Sequence, residues 1–197
     1  GAGRVSGWKL HDKEKNIWVA DFDSDKGRQL FVNGTRADLA AYEKLNISAE
    51  EKSGECIYLN EKSLLKLAHP EDMEVVSNQE WKQRRRRVEK LFEKDGRVRI
   101  EFNPKAWDAN ENTPMRNVYR LDNQYEFLNE PGEYYRDKRE HKIYYIPRPG
   151  DNMETADAVF PTVEKLIEVC GDNPFSYVSS ITFDGLRFEY STATIPS

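Results

Sequence analysis

The sequence predicts a mainly β domain, an antiparallel sandwich or open barrel with one to three short helices. Three observations carry this. Aromatic residues make up 12% of the 197 residues and supply much of an apolar total of only 38%; aromatic side chains bury the most area each. Asn33-Gly34, between RQLFVN and TRA, is the strongest short hairpin-turn signal in the chain. Gly132–Gly150 (GEYYRDKREHKIYYIPRPG) sets two tyrosine-rich runs, Glu133–Arg136 and Lys142–Ile146, around a charged tip, Asp137–His141. Aromatic and β-branched residues flanking a polar turn form a β-hairpin pattern, and Pro147 and Pro149 end its second strand because neither can donate to a ladder.

Taken in order, Val5–Leu10 is a short apolar–polar segment followed by a turn-like HDKEKN. Ile17–Phe22 (IWVADF) reads as a strand, ended by the charged turn Asp23–Gly27. Arg28–Asn33 is a second strand, and a type I′ turn at Asn33-Gly34 leads into Thr35–Ala37, since both turn residues tolerate positive φ. The turn accounts for Asn33 better than the glycosylation sequon Asn33-Gly34-Thr35; Asn46-Ile47-Ser48 is a second match to that short pattern. Tyr42–Glu55 is polar and irregular, a surface loop, and Cys56–Leu59 is a short apolar strand.

Asn60 is placed to cap a helix over Glu61–His69, with Leu64, Leu65 and Leu67 as its apolar face and Pro70 as its stop. Met73–Ser77 is extended. In Trp81–Phe92, the spacing of Trp81, Val88, Leu91 and Phe92 fits one helix face, so periodicity alone predicts a helix. The run Arg84–Arg87 inside it either contacts a phosphate or acidic sugar or forms a solvated face balanced by carboxylates. Lys94-Asp95-Gly96 is a turn, and RVRIEF over Arg97–Phe102 alternates as a half-buried strand does. Asn103–Pro114 is a loop carrying Trp107. Leu121, Tyr125 and Leu128 give Tyr119–Asn129 the spacing of a helix face. Val163, Leu166 and Ile167 share a face in Pro161–Val169. Tyr177–Thr182 and Gly185–Tyr190 are strands separated only by Phe183-Asp184, a spacing like that of parallel β-helix coils, although no second copy of the pattern occurs.

The formal net charge of -5 argues against a general nucleic-acid binder, which needs a basic face. No apolar run approaches the roughly 20 residues that cross a bilayer, so no membrane partner is expected. Cys56 and Cys170 are far apart in sequence and either pair in an oxidising compartment or remain two buried free thiols. His11, His69 and His141 are isolated, and no zinc spacing, phosphate loop or nucleophile elbow is present. Neither a metal nor a cofactor is expected. A glycosidase needs two carboxylates flanking the scissile bond, and nothing in the spacing of Glu126, Glu130, Glu133, Asp137, Asp184 and Glu189 selects a pair; no catalytic residue is assigned.

Sugar binding is the sharper expectation. Saccharide C–H faces stack on aromatic rings, and Trp107, in a polar Pro-rich loop, with Tyr134, Tyr135, Tyr144 and Tyr145 on the hairpin, are the candidate carbohydrate-binding residues. The competing expectation is that strand alternation sends one tyrosine of each pair to the core and the other outside.

In the order RQLFVNGTRA, EFLNEPGEYYRD, KIYYIPRPGDNM and ITFDGLRFEYS, the chain resembles a family of secreted right-handed parallel β-helix proteins that includes glycoside hydrolases with fucosidase and xylanase members. The blocks span Arg28–Ser191. In that family the last block, here Ile181–Tyr190, leads into the β-helix that bears the catalytic carboxylates. The resemblance therefore implies an accessory domain over residues 1–176, with residues 177–197 as the start of a β-helix segment and a β-helix stub at the ends. It implies as partner the β-helix catalytic domain of the parent chain, with polysaccharide as a further candidate, and a secreted or periplasmic location. An excised domain of this kind would expose an apolar patch. The resemblance also implies that Arg85–Phe92 is a strand paired with Arg97–Phe102 across Asp95-Gly96, and this replaces the helix that periodicity predicts.

Overall fold

The computed structural model describes residues 1–24, 26–43, 45, 47–50, 56–79, 81–102, 115, 117–173 and 175–193. Strands β1 (Ala2–Val5), β2 (Lys9–Asp12), β3 (Ile17–Asp21), β4 (Phe31–Val32), β5 (Thr35–Arg36) and β6 (Asp38–Leu39) come first. They are followed by β7 (Ala41–Tyr42), β8 (Ile47–Glu50) and β9 (Cys56–Leu59), then by two 3-10 turns, Lys62–Lys66 and Pro70–Asp72. Next are β10 (Glu74–Gln79), β11 (Lys82–Lys94), β12 (Arg97–Phe102) and β13 (Val118–Asp122). A third 3-10 turn, Tyr125–Phe127, precedes β14 (Glu133–Asp137), β15 (Lys142–Tyr145) and β16 (Ala158–Pro161).

The strands form three open sheets, in the orders β1-β16-β4-β5, β7-β13-β10-β11-β12-β9-β8 and β2-β3-β15-β14-β6. Pairing is antiparallel throughout except where β6 meets β14. None of these sheets closes, and the stacked layers are consistent with the sandwich form of the expected antiparallel architecture. Two apolar clusters fill the spaces between layers. One gathers Ile57, Leu59, Met73, Val75, Ile100 and Leu121; the other gathers Val5, Trp8, Leu30, Val32, Tyr145 and Phe160. The sheet that carries the tyrosine hairpin contributes to both, so it is the layer between two cores.

The turn chemistry acts as expected. Asn33 and Gly34 take φ 51° and 77°, and Asp95 and Gly96 take 52° and 76°, the left-handed pairs that two-residue hairpins require. The Asn33 amide is also engaged: its Nδ2 donates to Asp151 Oδ1 at 2.7 Å and its Oδ1 accepts from Asp157 N at 3.1 Å. The 13-residue β11 runs its first half against β10 and its second half against β12, with a register shift between Val88 and Lys90. The expected strand over Arg85–Phe92 is present, but its pairing with Arg97–Phe102 holds only from Val88 onward, since Arg85–Arg87 pair with β10. It buries Arg86 and Val88, while β12 buries Val98, Ile100 and Phe102, a two-residue period and not a helical one.

Elsewhere the tertiary structure departs from local expectation. Tyr119–Asn129 is not a helix but β13 followed by the Tyr125–Phe127 turn. Leu121 and Leu128 are both buried in the same cluster, which satisfies a helix-like spacing while β13 takes its hydrogen bonds from β10 and β7. The helix over Glu61–His69 shrinks to a 3-10 turn over Lys62–Lys66; Asn60 makes no cap, and Leu67 is already extended at φ -61°, ψ 133°. Tyr42–Glu55 contributes two strands, β7 and β8, the latter pairing with β9. Pro161–Val169 forms no helix after the end of β16. Tyr177–Thr182 and Gly185–Tyr190 form no strand and are almost wholly exposed, because a strand needs a ladder partner and none of the described residues supplies one. Both cysteines are free thiols, but only Cys56, in β9, is buried as expected; Cys170 is exposed.

Candidate functional site

The β14–β15 hairpin positions the tyrosines by register. Tyr134 faces Tyr145 and Tyr135 faces Tyr144 across the ladder. Alternation sends the two pairs to opposite faces, but neither face is open: Tyr134 and Tyr145 sit in one apolar cluster, and Tyr135 with the half-buried Tyr144 sits against the other. Tyr134 donates its hydroxyl to the Arg28 carbonyl. Tyr145 donates to Asp151 Oδ2 at 2.9 Å, and burial, together with that carboxylate, pushes its phenol up to about 12. Tyr134 and Tyr145 are 2% and 0% exposed, so neither ring presents a face to a ligand. Trp107 lies outside the described residues.

The Tyr135–Tyr144 pair forms the wall of an aromatic cleft of about 190 Å³ that also includes His11, His69, Tyr125, Glu126 and Asp137. Tyr135 and Tyr144 stack with centroids 5.9 Å apart and an interplanar angle of 26°. Tyr125 meets Tyr144 edge-on at 5.1 Å, and His11 meets the same ring at 5.1 Å. Edge-to-face and offset contacts are the favoured aromatic geometries. The sheet order explains how His11 arrives: β2 pairs with β3, and β3 with β15, so a residue isolated in sequence lies beside the hairpin. Tyr125 comes from the 3-10 turn that replaces the expected helix. Local reading could not bring either residue to this cleft, because both depend on long-range pairing.

Burial raises the phenol pKa of Tyr125, Tyr135 and Tyr144; for Tyr135 the Asp72 and Asp137 carboxylates add to it. All three are therefore neutral hydroxyl groups at physiological pH. Tyr135 donates to Asp72 Oδ2 at 3.0 Å, and Arg139 Nη2 donates both to Asp72 Oδ2 at 2.7 Å and to the Tyr135 hydroxyl at 3.1 Å.

Asp72, the acceptor in this cluster, lines a second, polar cleft of about 260 Å³, together with Arg28, Glu71, Glu74, Arg87, Arg136 and Lys138 among others. Buried carboxylates here are matched to arginines. Glu74 is held by Arg28 and, at 3.5 Å, by Arg85. Asp122, opposite Glu74 in the ladder, is held by Arg85 and Arg120. Asp137 Oδ1 accepts from the backbone N–H groups of Arg139 and Glu140 at the hairpin tip. Glu133 Oε2 accepts from Asn129 N and Glu130 N at 3.0 and 3.1 Å, which fixes the turn before β14 although burial raises its carboxyl pKa. Each of these acids thus has a structural task.

A family model described as the GH141 insertion domain matches residues 15–148. The chain belongs to the GH141 insertion-domain family. The matched span covers β3 to β15 and so includes the hairpin and the aromatic residues of its cleft other than His11. Among solved structures, a protein described as "Glycoside hydrolase" superposes with a TM-score of 0.69 at 26% identity, over 87% of this chain and 33% of that one. The insertion domain thus spans about a third of that protein's length. No curated protein matches the chain.

Proposed function

We propose that this chain is a non-catalytic accessory domain of a secreted or periplasmic β-helix glycoside hydrolase, packed on the β-helix catalytic domain and bordering its substrate cleft. The observation that carries this reading is the apolar surface of residues 175–188. Phe175 and Tyr177 are 86% and 85% exposed, and Ile181, Phe183, Leu186 and Phe188 are each at least half exposed. A run of large apolar side chains in water marks a surface made for a partner. Membership in an insertion-domain family, and a glycoside hydrolase relative of which this chain covers only 33%, argue that this partner is the rest of the parent protein. The segment is tied back to the domain at Thr192, whose N–H donates to the Val163 carbonyl at 2.9 Å. The antiparallel pair β1–β16 brings together the segments that flank the family match, a suitable stalk for a domain inserted into a longer chain.

The test replaces Phe183 and Phe188, which touch edge-on at 6.0 Å, by serine. Because both are exposed, folding stability should change by no more than about 0.5 kcal/mol, while association with the separately supplied catalytic domain should weaken by about 2 kcal/mol or more. Unchanged association in sedimentation or calorimetry, or glycoside hydrolysis by this chain alone, would overturn the reading.

A second reading, a carbohydrate-binding surface, is favoured by the cleft of Tyr144, Tyr125 and His11 beside the carboxylates of Glu126 and Asp137. On this reading Tyr144→Ala weakens binding of a neutral oligosaccharide about tenfold, the loss expected on truncating one aromatic anchor. Equal titration curves for the two proteins would sink it.

A further inference from the structure

The arginine run of β11 and the tip of the tyrosine hairpin meet at the polar cleft. Strand alternation separates the run: Arg86 lies buried over the Phe102 ring, its guanidinium carbon 5.2 Å from the centroid, while Arg85 and Arg87 point to the other face, Arg85 to Glu74 and Asp122 and Arg87 into the cleft. We propose that Arg87 and Lys138 form a binding site for the anionic group, carboxylate or sulfate, of an acidic saccharide.

Most of the charges in the cleft are already answered. Glu74 is matched by Arg28 and Arg85. Asp72 and Glu71 are matched by Arg139, at 2.7 and 2.9 Å. Arg136 gives its Nη1 to the carbonyls of Lys26 and Gly27 at 3.2 and 2.7 Å, and it adds positive potential to the cleft floor. Among the described residues the side chains of Arg87 and Lys138 make no hydrogen bond and no ion pair. Two cations therefore face one cavity with no ion pair of their own: Asp72 and Glu74 also line it and attract Lys138, but both carboxylates are already held by arginines, and a third cation, Arg136, lies behind. Desolvation, followed by repulsion from Arg87 and Arg136, lowers the Lys138 ammonium below the usual lysine range. An anion seated between them would relieve that repulsion.

The chemistry of the pair selects the ligand class. A guanidinium fork matches the two oxygens of a carboxylate or sulfate, and a lysine adds a point charge. The cavity of about 260 Å³ lies just below the usual range of ligand sites, about 300–1,000 Å³, and suits one sugar unit rather than several. A nucleic-acid polyanion is disfavoured by the net charge of -5. Tyr135, which donates to Asp72, lines the neighbouring aromatic cleft, and that cleft offers an adjacent ring a stacking face. The saccharide assignment rests on the proposed reading of the chain as a glycoside hydrolase accessory domain; the anion site rests on the cleft alone.

The test is calorimetric titration of the chain with an oligomer of uronic acid, a sulfated oligosaccharide, a neutral oligosaccharide of equal length and sodium sulfate. Binding of at least one acidic oligosaccharide is expected, in preference to the neutral one and weakened by added salt. Arg87→Ala and Lys138→Gln should each lower that affinity about tenfold or more, and Arg87→Lys should recover part of it, with circular dichroism melts showing that each variant is folded. Absence of binding by both acidic oligosaccharides, an affinity unchanged in the double variant, or binding of free sulfate alone would overturn the proposal. Absence of anion binding by the unsubstituted chain with intact association to the catalytic domain would remove this inference and leave the accessory-domain reading standing; the reverse result would do the opposite.

Discussion

Phe160→Ala is expected to lower the unfolding free energy by about 3–5 kcal/mol, the range for truncating a fully buried aromatic residue. Phe160 is 0% exposed and lies on β16. Its ring meets Phe22 at 5.0 Å and Tyr134 at 6.4 Å, and the Arg136 guanidinium sits 5.0 Å above it. Gly27 closes over the same ring: a Cβ there would lie 2.0 Å from the Pro161 carbonyl and 2.8 Å from the Phe160 ring. Backbone this close on one side and β1 and β4 on the others leave little room for the site to collapse, which keeps the cost at the upper end of the range. Urea denaturation measures it. A loss below about 1 kcal/mol would mean that the cavity is refilled and that β16 is not anchored by this ring.

Asp122→Ala should cost a similar amount, about 3–5 kcal/mol, through electrostatics rather than packing. Asp122 is 0% exposed and accepts from Arg85 and, at 2.9 Å, from Arg120 Nη2. Removing the carboxylate leaves two guanidinium groups in a partly desolvated network with one fewer counter-charge. Replacing a buried ion-pair network wholesale with apolar groups can be neutral, whereas deleting one member is costly. A double-mutant cycle with Arg120→Ala should therefore show coupling, with the double variant less destabilised than the sum of the two single losses. Additive losses would indicate that the two groups do not sense each other.

These two sites bracket the hairpin from different sides. Phe160 and Tyr134 hold one face of the β14–β15 layer, and Asp122, on β13, belongs to the sheet that packs against the other. The aromatic cleft and the cation-lined cleft both depend on that layer, since Tyr135, Tyr144 and Lys138 come from it. A variant that loosens either core should thus disturb both clefts together, while Lys138→Gln or Tyr144→Ala should affect only its own.

Several features were legible in the sequence because they are local. Asn33-Gly34 and Asp95-Gly96 announce left-handed turns through their own backbone preferences, and the alternation in RVRIEF announces a half-buried strand. The tyrosine hairpin was legible for the same reason. The helix expected over Tyr119–Asn129 failed because Leu121, Tyr125 and Leu128 repeat at a helical spacing by accident of a strand followed by a tight turn. Backbone pairing with β10 and β7 outweighed that pattern. The aromatic cleft was legible only in part. Tyr135 and Tyr144 line a cleft, but their partners Tyr125 and His11 are brought in by sheet order, which no local pattern encodes.

The sequence by itself determined the mainly β class, the principal hairpin turns and the extent of the tyrosine-rich stretch, since each follows from residues within a few positions of one another. Only the tertiary structure decided what the faces of that hairpin meet. Strand alternation predicts two sides and says nothing of what covers them. Here a second sheet and a second core cover both, so Tyr134 and Tyr145 became packing residues, and what remains accessible is the edge where Tyr144 and Lys138 stand.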